Sequence, residues 1–269
     1  MDGGSTDGTL ALLSGYPHLR VHSQVDEGIY DALNKGIRLV TGEVIGFLNT
    51  DDLYEPAIFG SIVQTFKDHP RISALVGGAT IFYDKCEGKT ERLATFPCIP
   101  QKELLLRATQ GAPVFNAWFF RKRLFDDLGG FDTQYRYVAD RDLLIRMALD
   151  DTPFESLDRT FYHYRMHPGS YTLSGQDSGE AGFMFECRDL AEHYIQDKRT
   201  SPYALKCFRI WHSQITMDQI ITAWRKKAFR RISAYIITGL RHNRFGWPKV
   251  FMDKTIERLS VVWQKFSTR

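Results

Sequence analysis

Long apolar runs are missing from this chain: nowhere do 18 consecutive residues reach the hydrophobicity that a membrane-crossing helix needs. No signal-type segment precedes the first motif, at residue 2, so the expected place of action is the cytoplasm. Cysteine is scarce. Cys86, Cys98, Cys187 and Cys207 stand far apart without a C-x-x-C pair, which argues against a zinc cluster of that type and for reduced, partly buried thiols. Internal repeats and low-complexity segments are absent as well.

What is present fits a globular protein. The 269 residues are 43% apolar and 25% charged, with a mean hydropathy of −0.30, enough for one large domain with an appendage. The net charge of +3 conceals a division. Residues 201–269 hold 14 basic against 3 acidic side chains, whereas residues 1–200 hold 21 against 29. An acidic body and a basic tail imply different partners for each.

Along the first half, short β-type runs alternate with helical stretches. The pattern predicts a helix over 9–14, a strand over 19–22, and a helix over 29–40 with Ile29, Leu33, Ile37 and Val40 on one face. A continuous apolar strand over 44–48, of the kind buried on both sides in parallel sheets, leads to Asp51 and Asp52. A helix carrying Ile58, Ile62, Val63 and Phe66 follows Pro56. This rhythm predicts an open α/β sheet whose site lies at the carboxyl ends of strands. Further on, strands with a hairpin are expected over 73–96, a strand over 114–120, helices over 123–128 and 140–149, and a strand over 161–165. After about residue 197, Phe208, Trp211, Ile215, Ile221, Trp224, Ala228, Ile232 and Tyr235 recur at helical steps with basic residues between them. The expected organisation is therefore a catalytic domain over 1–197 and a basic amphipathic helical region over 198–269.

Several residues stand out chemically, and each also has a plainer structural reading. Asp51 and Asp52 follow a strand and precede a helix, where carboxylates can hold Mg²⁺ or Mn²⁺ against a diphosphate or simply cap the helix. The run MDGGSTDGT is rich in turn formers, yet its small residues also admit a ligand, with Asp2 able to accept hydrogen bonds from a nucleobase or ribose. Asp140 and Asp142 enter a helix two residues apart, so one can face a cleft as a general base while the other pairs with an arginine; both also suit the helix dipole. His163 and His167 have H-x₃-H spacing, but on a strand running into a loop that spacing does not hold one zinc ion. A phosphate contact from His167 or Ser170 is the functional alternative to a surface turn.

Taken together, DGGSTDGT, DEGIYDALNKGI, TGEVIGFLNTDD, GGFD and ADRDLLIRM resemble, in order and spacing, the family 2 glycosyltransferases of the GT-A fold. The nearest branch is the bacterial one that builds exopolysaccharide, capsule or lipopolysaccharide. The resemblance covers roughly residues 1–175 and not the basic tail. It implies a mixed α/β sheet flanked by helices, and a metal-dependent, inverting transfer from a nucleotide-sugar donor to a hydroxyl of a glycan or polyprenyl-linked acceptor. By position it implies that Asp2 contacts the nucleoside, and that Asp31, Asn34 and Lys35 line the donor side. Asp52 is then the direct ligand of Mn²⁺ or Mg²⁺, with Asp51 on the sugar or ribose side and also near the metal. His167 lies near the diphosphate, and Asp140 is the catalytic base. Asn49 stands where many relatives carry the first Asp of D-x-D, and Ala139 replaces the usual Glu before the base. The resemblance further implies a strand-helix-strand segment ahead of Met1, which makes the chain an N-terminally truncated member. The alternative function is accordingly a truncated, catalytically inactive relative serving as a membrane or complex-bound scaffold. A metal-dependent phosphohydrolase would want more acidic or His ligands than the motifs offer.

The tail, with Trp211, Trp224, Trp247 and Trp263 among its cations, suits peripheral contact with an anionic inner membrane face, or else packs its apolar stripe on the body. Nucleic acid is not expected as a partner, because the acidic body repels it.

Overall fold

The computed structural model describes residues 1–85, 89–167, 177–243, 246–250 and 252. These form two compact units, residues 1–108 with 112–174, and residues 109–111 with 175–269.

In the first unit, helix α1 (Thr9–Ser14) is followed by α2 (Ile29–Leu39), which begins after Gly28 at φ 129°, a conformation only glycine adopts readily. Strand β1 (Val44–Gly46) is two residues shorter than its apolar run. Phe47 leaves the ladder because its carbonyl accepts instead from the Tyr54 hydroxyl at 2.9 Å and the Asn116 amide at 3.1 Å. Strand β2 (Leu53–Tyr54), helix α3 (Ile58–Asp68), strand β3 (Ala74–Asp84) and strand β4 (Thr90–Phe96) come next. They are followed by α4 (Leu104–Gln110), β5 (Trp118–Arg121), α5 (Lys122–Leu128), α6 (Ala139–Leu149) and β6 (Phe154–Arg165).

The strand order is β1-β5-β3-β6-β2, with β4 paired to β3. Only β3 and β6 run parallel; β1, β4 and β2 join antiparallel, so the sheet is mixed. Two sequence expectations change here. Strand β1 is not a member of a parallel ladder buried on both faces: Val44 lies opposite Arg121 in antiparallel register, and only Ile45 of its three residues is buried. The fully covered strand is β3, with residues 74–80 all buried between β5 and β6. Residues 19–22 form no strand; an isolated parallel bridge pairs Asp2 with Ser23, and Leu19 and Val21 are exposed.

The core between α3 and the sheet gathers Ile58, Ile62 and Phe66 with Leu75, Phe119, Phe161 and Tyr162. Burying side chains of this size contributes about 2–3 kcal/mol each. Val63 was expected to share this stripe but is half exposed, because only the i, i+4, i+8 row of α3 meets the sheet. Ile29 of α2 is likewise exposed, leaving Ile37 as the buried residue of that helix. A second aromatic group, Phe47, Phe115, Phe120, Phe125 and Phe131, interlocks under β1 and β5 with ring centroids 5.3–6.2 Å apart. At the crossing of β3 and β6, a Cβ on Gly77 would overlap the Phe161 ring.

The second unit contains α7 (Asp177–Gln196), α8 (Pro202–Arg225) and α9 (Phe229–His242). The division drawn from the sequence after residue 197 differs from this one by helix α7. Ser201 caps α8 by accepting from the Ala204 amide at 3.3 Å, with Pro202 at the first helical position. Phe208, Trp211 and Ile215 are buried as the periodicity predicts. Trp224 is 66% exposed, because α8 ends one residue later and the chain turns through Lys227 at φ 56°. Among the described residues no helix is long and apolar enough to cross a membrane; Trp263 and Cys86 lie outside them.

Candidate active site

Adjacent aspartates in the turn after β1 have opposite surroundings. Asp52 is buried, and its carboxylate accepts from the Tyr162 hydroxyl at 2.5 Å, the Arg165 amide at 2.6 Å and the Asn49 side chain at 2.9 Å. Three donors, two of them from β6, hold both its oxygens and lock the turn to the sheet. The Arg165 guanidinium completes the lock by donating to the Asp51 carbonyl at 2.8 Å and pairing with Asp84. Asn116 reaches the same turn from the loop before β5, with its amide 3.4 Å from Asn49 Oδ1.

The Asp51 carboxylate faces outward and meets His167 Nε2 at 2.7 Å, with the two side chains 41% and 39% exposed. A divalent cation such as Mn²⁺ takes carboxylate oxygen and tolerates imidazole, so the accessible Asp51–His167 pair fits one, whereas Asp52 is engaged elsewhere. Asp52, expected from the sequence as the direct ligand, is held here by its trio of donors. His163 does not join His167: its ring bridges Thr80 at 2.7 Å and Glu55 at 2.6 Å. Ser170, the other residue expected near phosphate, lies outside the described residues.

Asp140 sits in the first turn of α6. Its Oδ1 accepts from the Tyr30 hydroxyl at 3.0 Å and from the Arg141 amide at 2.7 Å, while Oδ2 receives no hydrogen bond from another described residue. The residue keeps some exposure, yet its carboxyl is desolvated, and this burial raises its pKa against the opposing pull of Arg141 and Tyr30. Asp142, two residues on, turns inward and pairs with Arg146 at 2.8 Å; Arg146 also donates to the carbonyls of Leu128, Gly129 and Gly130. One carboxylate of the pair therefore meets Tyr30 of α2 and the other fixes the α5–α6 turn.

Tyr30 is aimed by its own helix. Asn34, one turn later on α2, makes two reciprocal bonds with the Phe131 backbone, each 2.8 Å, and the Tyr30 and Phe131 rings lie 5.4 Å apart. Gly130 must lack a side chain there, since a Cβ would overlap the Asn34 amide. Asn34 is thus a bracket between α2 and the 129–131 turn. Asp31 and Lys35 pair with each other at 2.8 Å, Asp31 also accepting from the Glu27 amide and Lys35 donating to the Val25 carbonyl. Lys35, first, and the Glu27 amide hold the Asp31 pKa below its ordinary value.

Asp2, expected to contact a nucleoside, is engaged by its own loop. It accepts from Ser23 Oγ at 2.6 Å, from Ser5 Oγ at 2.5 Å, and from the amides of Gly4 and Ser5 at 3.1 Å each. Those bonds, Ser23 foremost, lower its pKa to about 2. Sequence reasoning missed Tyr30, Asn116, Tyr162 and Arg165. Tyr30 alone had a local signal, a phenol one position from Asp31 in the same motif; the others come from distant strands and loops.

The family model described as "Glycosyl transferase family 2" matches residues 1–129. A PGL/p-HBAD biosynthesis glycosyltransferase of Mycobacterium tuberculosis is 32% identical over 152 residues, covering 54% of this chain and 56% of that protein. An uncharacterized glycosyltransferase of Haemophilus influenzae is 26% identical over 149 residues, covering 52% and 48%. The chain spans about half the length of the curated relatives it matches. Among solved structures, S. aureus TarS 1–349 in complex with UDP-GlcNAc superposes with a TM-score of 0.57 at 14% identity, over 94% of this chain and 81% of that one. The mannosyltransferase PcManGT from Pyrobaculum calidifontis, in complex with GDP-Man and Mn²⁺, gives 0.51 at 15% identity, over 91% and 76%.

Proposed function

We propose, from the premise that residues 1–129 belong to glycosyl transferase family 2 and the fold is of the GT-A type, that this chain carries an inverting, metal-dependent sugar transfer from a nucleoside-diphosphate donor. The observation that carries the reading is the Asp140 carboxyl: desolvated, with its pKa raised, and bonded at Oδ1 by Tyr30 and the Arg141 amide while Oδ2 accepts from no other described residue. A general base needs a raised proton affinity and an accessible oxygen in one group.

Asp140 Oδ2 takes the proton of an acceptor hydroxyl. The acceptor oxygen then bonds to the anomeric carbon from the face opposite the diphosphate, the bond from that carbon to the phosphate oxygen breaks, and the nucleoside diphosphate leaves with both electrons. Asp51 and His167 would hold Mn²⁺ or Mg²⁺, which when bound would supply positive charge beside the departing diphosphate. Asp52 keeps Asp51 in place by fixing the turn to β6. The Asp2 loop sides with the nucleoside, with Asp31, Asn34 and Lys35 positioning that side rather than donating to it. The solved complexes with UDP-GlcNAc and GDP-Man support a nucleotide-sugar donor, since they share the fold.

The acceptor in this reading is a glycan or polyprenyl-linked hydroxyl used in cell-surface polysaccharide synthesis. Peripheral contact with an anionic cytoplasmic membrane face fits that acceptor. Its support is the exposed Trp224, Phe229 and Ile237 beside Arg225, Lys226, Lys227 and Arg230.

Thermal stability of the chain with UDP, GDP or dTDP, each with and without Mn²⁺, tests the donor site. Stabilisation by one nucleotide, dependent on metal and lost in Asp51→Asn, is expected. A folded protein indifferent to every pair, and without transfer from the matching sugar nucleotides, overturns the reading.

A further inference from the structure

Three helices of the second unit bring unlike ligands to one point. Glu192 of α7, His212 of α8 and His242, the last residue of α9, each offer a ligand atom within 4.8 Å of the others. Nε2 of His212 is 3.0 Å from Glu192 Oε1, Nε2 of His242 is 3.9 Å from the same oxygen, and the two imidazole centroids are 4.6 Å apart. The His212 side chain is fully buried, and those of His242 and Glu192 are 13% and 25% exposed.

Hydrogen bonding alone accounts poorly for this cluster. One carboxylate oxygen is approached by both imidazoles and by the Arg188 guanidinium, whose Nε is 3.5 Å away. His212 Nδ1 is buried and has no hydrogen-bond partner among the described residues. A buried polar atom left unsatisfied costs about 1–3 kcal/mol, so the His212 ring asks for a partner that the described side chains do not supply. An imidazole with a free lone pair is the form that ligates metals.

Two imidazoles and one carboxylate suit a borderline cation of the zinc class, whereas Mg²⁺ and Ca²⁺ take oxygen ligands. The frame is already braced. Asn243, just past α9, donates to Ser213 Oγ at 2.9 Å, Trp247 Nε1 lies 3.3 Å from Thr216 Oγ1, and Tyr194 stacks on Phe208 at 4.8 Å. Arg188 does not depend on Glu192 for its place: it also reaches Asp189 at 3.2 Å and covers the Phe185 ring at 5.2 Å. Giving up its contact with Glu192 to a cation leaves it anchored.

We propose that Glu192, His212 and His242 form a structural site for a Zn²⁺-class cation that clamps α7, α8 and α9 together. The site shares no residue with the Asp51–His167 pair, so the two are separable by mutation.

The test uses the full chain, stripped with a chelator and titrated with Co²⁺ and then Zn²⁺. We expect one Co²⁺ that Asp51→Asn retains, with the visible d–d absorption of a nitrogen-ligated ion, its displacement by Zn²⁺, and a rise in Tm with either metal. His242→Gln and Glu192→Gln, both at partly exposed positions, should retain helical circular dichroism. They should lose the absorption and weaken binding by about 100-fold or more, the upper range for loss of even an outer partner. Asp51→Asn should leave absorption and affinity unchanged. Absence of Co²⁺ absorption in the wild-type chain overturns the proposal, as does undiminished binding in both ligand variants or its loss in Asp51→Asn.

Discussion

Tyr30 Oη lies 3.0 Å from Asp140 Oδ1, and it is the side-chain donor that opposes the burial-driven rise in the Asp140 pKa. Replacing Tyr30 by Phe keeps the ring against Phe131 and removes the hydroxyl, which also lies 3.3 Å from the Tyr137 carbonyl. A hydrogen bond to a charged acceptor contributes about 1.5–3 kcal/mol, so kcat should fall by about 10- to 150-fold with little change in KM for the donor. The Asp140 pKa should climb further, moving the acidic limb of the pH–rate profile upward. An unmoved limb would mean that Tyr30 merely packs.

Asp140→Asn should abolish transfer and yet stabilise the protein at neutral pH. Burial raises the folded-state pKa above the unfolded value, so folding favours the protonated carboxyl. That contribution is fully present below the unfolded pKa of about 4 and is lost as pH rises through the folded one. Asn, always neutral, escapes the loss. Tm measured against pH should show the variant above the parent at pH 7 and the gap closing toward pH 4; a constant gap would count against a desolvated carboxylate.

The two aspartates of the turn should separate by assay. Asp52→Ala strands the Tyr162 hydroxyl, the Arg165 amide and the Asn49 side chain, at a cost of about 3 kcal/mol or roughly 6–12 °C in Tm. Asp51→Asn, at an exposed position, should move stability by no more than about 0.5 kcal/mol while removing the Mn²⁺ dependence of nucleotide binding. Equal losses of stability in both variants would contradict the assignment of separate roles.

Flotation with vesicles of anionic lipid examines the exposed apolar and basic surface of α8 and α9. Trp224 and Phe229, whose rings lie 5.3 Å apart, are 66% and 54% exposed. The double change to Ser should leave Tm within about 1 °C, as exposed positions do, and weaken co-flotation at low salt. Protein that stays with the aqueous fraction on anionic vesicles removes the membrane reading.

Local patterns made much of the fold legible. The helix expected over 29–40 ends within one residue of α2 because glycine opens it and an extended Val40 closes it. The hairpin expected within 73–96 is present in β3 and β4, closed by the Lys85 amide donating to the Lys89 carbonyl. Long-range pairing was not legible. Nothing in the letters of 44–48 tells that β1 meets β5 antiparallel, some 75 residues later. The same limit applies to the site. Asp51 and Asp52 are indistinguishable in the chain, and the difference between them is made by Tyr162 and Arg165 more than 100 residues downstream. Asp140 could be singled out, since its motif carries it, but its restraint by Tyr30 needed the fold to bring α2 and α6 together.

Gly77 bears on how the protein can be re-engineered. It has no chemistry of its own, yet the Phe161 ring occupies the space where its side chain would be, and Tyr162, His163 and Arg165 follow on the same strand. A library meant to change donor preference can vary exposed positions around Asp51 widely. It should hold residue 77 fixed, because one methyl group there pushes on β6 and detunes every contact that β6 makes with the 49–52 turn. A residue without chemistry of its own thus limits how far the site beside it can be redesigned.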